Sequence, residues 1–180
     1  MSAQKVALVT GASRNIGRSI ALALARRGYT LACFGRDATA LDETAQLIRA
    51  LGGQASVFVG DAKSNESLND FADHAVRMHG GIDAVINNAG IALERRSEEL
   101  TPGEFAEILQ VNLVSQFALA RAAYAPLRAR GGGVSSTSVL SPAPLPFPGW
   151  PPTAHPKLEA MASHGRWPMT GPRTTSEYSA

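Results

Sequence analysis

Apolar and polar positions alternate in blocks along this chain, and the blocks change period in a regular order. Lys5 to Thr10 carries the apolar run Val6, Ala7, Leu8 and Val9 up to Gly11, which predicts a buried strand. Ser13 to Arg27 places Ile16, Ile20, Leu22, Leu24 and Ala25 at helical spacing, with Gly28 as the stop. Thr30 to Phe34 is a second apolar strand. Leu41, Ala45, Leu47, Ile48 and Leu51 predict a second helix, capped by Asp37 and ended at Gly52-Gly53. Ala55 to Val59 predicts a third strand. A helix through Leu68, Phe71, Ala75, Val76 and Met78 follows, capped by Ser64 or Asn65 and closed by Gly80-Gly81. Ala84 to Ile86 is a fourth strand and runs into Asn87-Asn88-Ala89-Gly90. Thr101-Pro102-Gly103-Glu104 opens the last helical stretch with a cap, a proline at the first position and an acid in the first turn. That stretch runs to about Arg130, with a kink or an end expected at Pro126.

Four strand–helix alternations with near-continuous apolar strands demand an α/β fold. The expected architecture is a doubly wound parallel sheet covered on both faces by helices, with right-handed crossovers.

Composition changes this picture at one place. Of 11 prolines, only Pro102 and Pro126 precede residue 134, and the other nine fall in 134–180. Only five of the 32 charged side chains lie in that segment. The expected organisation is therefore a patterned domain over 1–133 and an irregular Pro-rich tail over 134–180. The net charge of +2 and the absence of a Lys/Arg cluster argue against a nucleic-acid partner. No apolar run reaches the roughly 18–20 residues of a membrane helix. A lone Cys33 and an N-terminus without signal-peptide order suit a reducing, cytoplasmic setting.

The first candidate site is Thr10-Gly11-Ala12-Ser13-Arg14-Asn15-Ile16-Gly17, between the first strand and the first helix. A phosphate-bearing ligand needs a tight turn, close backbone approach and a helix N-terminus aimed at it. Gly11 supplies the turn, and Gly17 lets the helix pack against the sheet. Asn15 tolerates left-handed backbone better than other non-glycine residues.

This loop resembles the Thr-Gly-x-x-x-Gly-x-Gly fingerprint of the short-chain dehydrogenase/reductase family, with Asn15 in place of the middle glycine. Three further matches follow in order. They are Asp61-Ala62 after the third strand, Asn87-Asn88-Ala89-Gly90 after the fourth, and Asn112 within Val111-Asn112-Leu113. The resemblance covers residues 5–133, about three quarters of the chain. It implies a Rossmann-like fold, incomplete at its C-terminal side. It also implies nicotinamide dinucleotide binding by Gly11, Ser13, Arg14, Asn15, Ile16, Gly17, Arg36, Asp61, Ala62, Asn88, Ala89 and Gly90. The second strand ends in Arg36 with no acid before Asp37, and Arg14 is a second cation on the same side. This favours NADP(H) over NAD(H), since an Arg accommodates a 2′-phosphate where an acid would bond the ribose. As a residue on its own, Arg36 also reads as a solvated loop cation.

The implied reaction is hydride transfer between the nicotinamide and a carbonyl or alcohol carbon, nearest in flavour to the ketoacyl-type reductases. The implied catalytic set holds a Ser, a Tyr-x-x-x-Lys pair and Asn112. Tyr-x-x-x-Lys is absent from 134–180. Ser138 is the candidate Ser, and Lys157 follows Thr153 rather than a tyrosine. By themselves, Ser138 reads equally as a loop serine and Asn112 as a polar packing residue. A shifted reading frame, or a small compensated slip near Val134 to Thr137, would account for the gap. Two bases on, codons for 150–157 can spell Ala-Ala-Tyr-Gly-Ala-Ser-Lys, and those for 171–178 Ala-Pro-His-Asn-Ile-Arg-Val. Residues 139–149 look family-like without a shift. Two other readings stand beside the enzyme: a non-catalytic nucleotide-binding module, and a damaged gene product. The family forms tetramers through two central helices, of which only the first is recognisable, so a homo-oligomer is not expected.

The remaining candidates read blandly. His74 and His79 are five apart and make no metal site, which leaves them as surface or interface histidines. Cys33 is a buried strand thiol. Arg95-Arg96 beside Glu94, Glu98 and Glu99 is a mixed, solvated face.

Overall fold

A computed structural model describes residues 4–93 and 96–137. Ser138, Lys157 and most of the proline-rich segment lie outside the described residues.

The chain folds as β1 (Val6–Thr10), α1 (Asn15–Arg26), β2 (Thr30–Gly35), α2 (Ala38–Ala50), β3 (Ala55–Val59), α3 (Asn65–His79) and β4 (Ala84–Asn87). A short turn at Ser97–Glu99, α4 (Pro102–Leu109), a π-helical turn (Gln110–Val114), α5 (Ser115–Ala129) and β5 (Val134–Thr137) complete it. All five strands pair in parallel in the order β3-β2-β1-β4-β5. This is the doubly wound, Rossmann-like α/β fold expected from the block pattern.

β1 is central and buried along its whole length, so successive side chains feed opposite cores. Val6 and Leu8 join Phe34, Phe71, Val85 and Leu119 under α3 and α5. Ala7 and Val9 join Leu31, Cys33, Leu41 and Ile48 under α1 and α2. The caps fall where local chemistry puts them. Asp37 accepts from the Ala40 amide and Ser64 from the Ser67 amide, and Thr101 with Glu104 forms a reciprocal capping box behind Pro102. Gly80 takes the left-handed cap of α3 at φ 81.

Four local expectations are corrected. β5 lies beyond the boundary drawn at Gly133. Its Val-Ser-Ser-Thr run carries no apolar alternation, and β4 induces it by pairing Ala84 with Val134 through Asn87 with Thr137. The helical stretch from 102 reaches Ala129 without a gap, but it is not α-helical throughout, since residues 110–114 widen to a π turn around Asn112. Pro126 does not end α5. It lies in the last turn, where its missing N–H costs one bond, and its carbonyl still accepts from Arg130 N at 3.3 Å. His74 and His79 are half-buried rather than on the surface, because their face of α3 packs on β3. His74 meets the Phe58 ring edge-on at 5.5 Å, and His79 Nε2 lies 2.8 Å from Ser56 Oγ.

Arg130 ties the lower end of the sheet together. It reaches Asp83 Oδ2 at 3.3 Å and donates to Gln4 O at 3.0 Å, while Asp83 Oδ2 also accepts from Val6 N.

Candidate functional site

From β1 the chain winds outward through β2 and β3, then returns to build β4 and β5 on the other side. The strand order reverses between β1 and β4, and a crevice opens at their carboxyl ends. A cleft of about 280 Å³ occupies that place. The β1–α1 loop with the start of α1 (Gly11, Ser13 to Gly17), the end of β2 (Phe34 to Asp37), the β3–α3 loop (Gly60 to Lys63), the β4 exit (Asn88 to Ile91) and Val111 line it. All twelve residues assigned to a cofactor from sequence lie around this one cleft. Asn112 sits next to Val111 in the π turn.

Hydrogen bonds between β1 and β4 build the floor. Thr10 Oγ1 accepts from the amides of Asn88 and Ala89, both at 2.9 Å. Asn88 Nδ2 donates to the carbonyls of Thr10 at 3.1 Å and Gly11 at 3.3 Å. The buried Asn88 amide thus pins the loop to the neighbouring strand. A Cβ on Gly17 would overlap the Gly11 carbonyl oxygen and stand 2.5 Å from Asn88 Nδ2, so only glycine brings α1 this close. Gly35 has a parallel role, since a Cβ there would lie 2.5 Å from Ser13 Oγ. Asn15 takes φ 49, the left-handed conformation foreseen for the residue replacing glycine.

Asn112 is held by one backbone residue. Its Oδ1 accepts from Ile91 N and its Nδ2 donates to Ile91 O, both at 2.8 Å. This locks the chain leaving β4 to the π turn. Gln110 Nε2 donates to Lys63 O at 3.1 Å, and Lys63 Nζ pairs with Glu107 of α4 at 2.6 Å, so the π turn and the helix before it brace the β3–α3 loop.

The charges around the cleft differ in their commitments. Asp37 Oδ1 is engaged by the Ala40 amide as the cap of α2, and Asp61 Oδ1 by the Lys63 amide at 2.9 Å. Arg14 and Arg36 are exposed and take part in no ion pair among the described residues. Arg14 is the N-cap residue of α1 with extended backbone, and its side chain makes no cap hydrogen bond among the described residues. The first-turn amides therefore remain available to an anionic group. Among the described residues, no group of three or more His, Cys, Asp or Glu could hold a metal.

The residues fit a phosphate-bearing dinucleotide on this geometry. Glycines form the floor, the α1 N-terminus lies at it without a cap from its own N-cap side chain, two arginines line it, and Ile16, Ala62, Ala89, Ile91 and Val111 supply apolar walls. Sequence reading missed Phe34, Gly35, Gly60, Lys63, Ile91 and Val111. Their signal was position: the first four sit at or just beyond the carboxyl ends of β2 and β3, where doubly wound sheets bind ligands.

Fold and cleft together define a doubly wound α/β protein with a ligand-sized crevice at the point where its strand order reverses. A family model described as short chain dehydrogenase matches residues 5–147, and the chain belongs to the short-chain dehydrogenase/reductase family. It is 35% identical over 138 residues to the hydroxynaphthalene reductase arp2 of Aspergillus fumigatus, covering 76% of this chain and 50% of that protein. It is 33% identical over 129 residues to the ketoacyl reductase HetN of Nostoc, covering 72% and 45%. Among solved structures, it resembles an alcohol dehydrogenase of Thermococcus sibiricus complexed with 5-hydroxy-NADP, with TM-score 0.70, 36% identity and coverage of 74% and 57%. A metagenomic short-chain oxidoreductase in complex with NADP gives TM-score 0.71, 31% identity and coverage of 75% and 62%. The chain spans about half the length of the curated relatives it matches.

Proposed function

We propose that the cleft binds NADP(H), and that the chain is the cofactor-binding part of an oxidoreductase acting on a small carbonyl or alcohol substrate in the cytoplasm. The carrying observation is the state of Asp37. Its carboxylate caps α2, while the neighbouring Arg36 extends into solvent at the same rim. An acid at this place would favour a free ribose 2′-hydroxyl; a cation favours a 2′-phosphate. The NADP complexes of two similar structures and the reductase names of two similar proteins support the same reading.

When bound, the nicotinamide supplies or accepts the hydride. The chain's own contribution is to hold the diphosphate at the Ser13–Gly17 turn, the adenosine between Arg36 and Asp61-Ala62, and the strand exit in place through Asn112 on Ile91. Ser138 and Lys157 stay proposals for the remaining catalytic set. Titration with NADP and NAD tests the cofactor: NADP is expected to bind at least about tenfold more tightly, a difference of about 1.4 kcal/mol. Equal or reversed affinities overturn the preference.

One observation favours a second reading. The sequence holds no Tyr-x-x-x-Lys, so no phenol is tuned by a lysine four residues on. A nucleotide-binding module without turnover is the corresponding proposal. A carbonyl-reduction assay with NADPH as hydride donor separates the two. The coding DNA tests the frame-shift origin of the tail, which fails if the shifted frame cannot spell Tyr-x-x-x-Lys.

A further inference from the structure

Arg18 does not line the cleft, yet four of its hydrogen bonds converge on the loop that does and on the helix behind it. Its side chain lies in the seam between α1 and α2, one-quarter exposed. Nη2 donates to Ser13 O at 2.6 Å, to Ala40 O at 3.1 Å and to Glu43 Oε2 at 2.9 Å, and Nε donates to Thr44 Oγ1 at 2.9 Å. Thr44 is fully buried, and its hydroxyl has the carbonyls of Ala12 and Ala40 each at 3.0 Å. Two consecutive loop carbonyls therefore face donors in the α1–α2 seam: Ser13 O takes a proton from Arg18, and Ala12 O shares the single Thr44 hydroxyl proton with Ala40 O.

The peptide plane converts this into a statement about the cleft. In a trans peptide the C=O and the following N–H point in opposite directions. Holding the carbonyls of Ala12 and Ser13 in the α1–α2 seam turns the amides of Ser13 and Arg14 out of that seam, and both residues line the cleft. A peptide flip at either position would bring a carbonyl dipole to face an anion instead of an amide. Resting on the cleft's reading as a dinucleotide site, we propose that Arg18 and Thr44 are positioning residues that aim the Ser13 and Arg14 amides at the ligand's diphosphate. Neither side chain touches the ligand. Both act by fixing the orientation of two peptide planes, and Ala40 and Glu43 anchor them to the first turns of α2.

The test compares two probes: NADP, which carries the diphosphate, and adenosine 2′-phosphate, which lacks it. Arg18→Met and the near-isosteric Thr44→Val are expected to weaken NADP at least tenfold while leaving adenosine 2′-phosphate within twofold. Thr44→Ser, which restores the hydroxyl, should return NADP affinity to within threefold of wild type. Thr44→Val and Thr44→Ser carry the comparison alone should Arg18→Met not fold. Unchanged NADP affinity in folded variants overturns the inference, as does an equal loss of both probes, which marks a merely structural seam. A wild-type protein that binds neither probe removes the cofactor reading itself, and this inference with it.

Discussion

Gly17 lies against the backbone of Gly11 so closely that a methyl group on it would overlap the Gly11 carbonyl oxygen. The obstacle is main chain rather than the end of a flexible side chain, so the contact cannot relax by a rotamer change. Gly17→Ala is expected to push α1 off the sheet, costing about 1–3 kcal/mol. NADP affinity should fall with it by more than about tenfold, since the loop and the helix N-terminus move together. Urea unfolding and cofactor titration of the same sample check this. A variant of unchanged stability and affinity would contradict the packing.

Asn112 spends both ends of its amide on Ile91. Asn112→Ala strands a partly buried N–H and C=O, at a cost of about 1–3 kcal/mol. Asn112→Asp keeps the acceptor for Ile91 N but sets a carboxylate oxygen against Ile91 O, so it is expected to be no milder. The Ile91 amide should exchange with solvent much faster in both variants. Unaltered exchange at Ile91 would show that another group holds this segment.

Stability should fall as pH drops below neutrality. His74 has its pKa held below the ordinary 6.5 by burial first and the neighbouring Arg77 charge second. His79 is lowered by burial and then by His74. His74 Nε2 is buried without a hydrogen-bond partner among the described residues, which leaves no acceptor for a second ring proton. In the unfolded chain both rings take a proton near 6.5, whereas the folded chain resists until lower pH. Stability is therefore full above about pH 7.5, declines through 6.5 and levels off below the folded values. Denaturant melts from pH 8 to pH 5 measure the slope, and His74→Phe with His79→Gln should flatten it.

Cys33 is expected to be inert in the folded protein. Burial in β2 pushes its thiol up to about 12, so the thiolate that alkylation needs is scarce at pH 8. Alkylation should be slow natively and rapid in denaturant. Fast native labelling would mean that β2 opens far more often than a buried inner strand should.

Much of the candidate site is legible in the order of residues alone. Gly11, Gly17, Asp61 and Asn88 sit at strand–helix junctions that hydrophobic period locates. Asn15 announces its left-handed backbone by residue type, and its φ of 49 agrees. Arg18, Thr44 and Gln110 give no such signal. Each is an ordinary helix residue until its target is known, and the targets Ser13, Ala12 and Lys63 are reached across seams between elements.

What the sequence determined alone was local: the caps at Asp37, Ser64 and Thr101, the glycine stops, and the alternation that demands a parallel sheet. These follow from backbone preference and hydrogen bonds a few residues apart. Only the tertiary structure decided that Val134–Thr137 becomes a strand, that the helix widens at Asn112, and that the Arg18 guanidinium turns from solvent to the loop. The strand and the guanidinium each depend on a partner far along the chain, Ala84 for Val134 and Thr44 for Arg18. Such a partner exerts no preference until folding brings it within hydrogen-bond range.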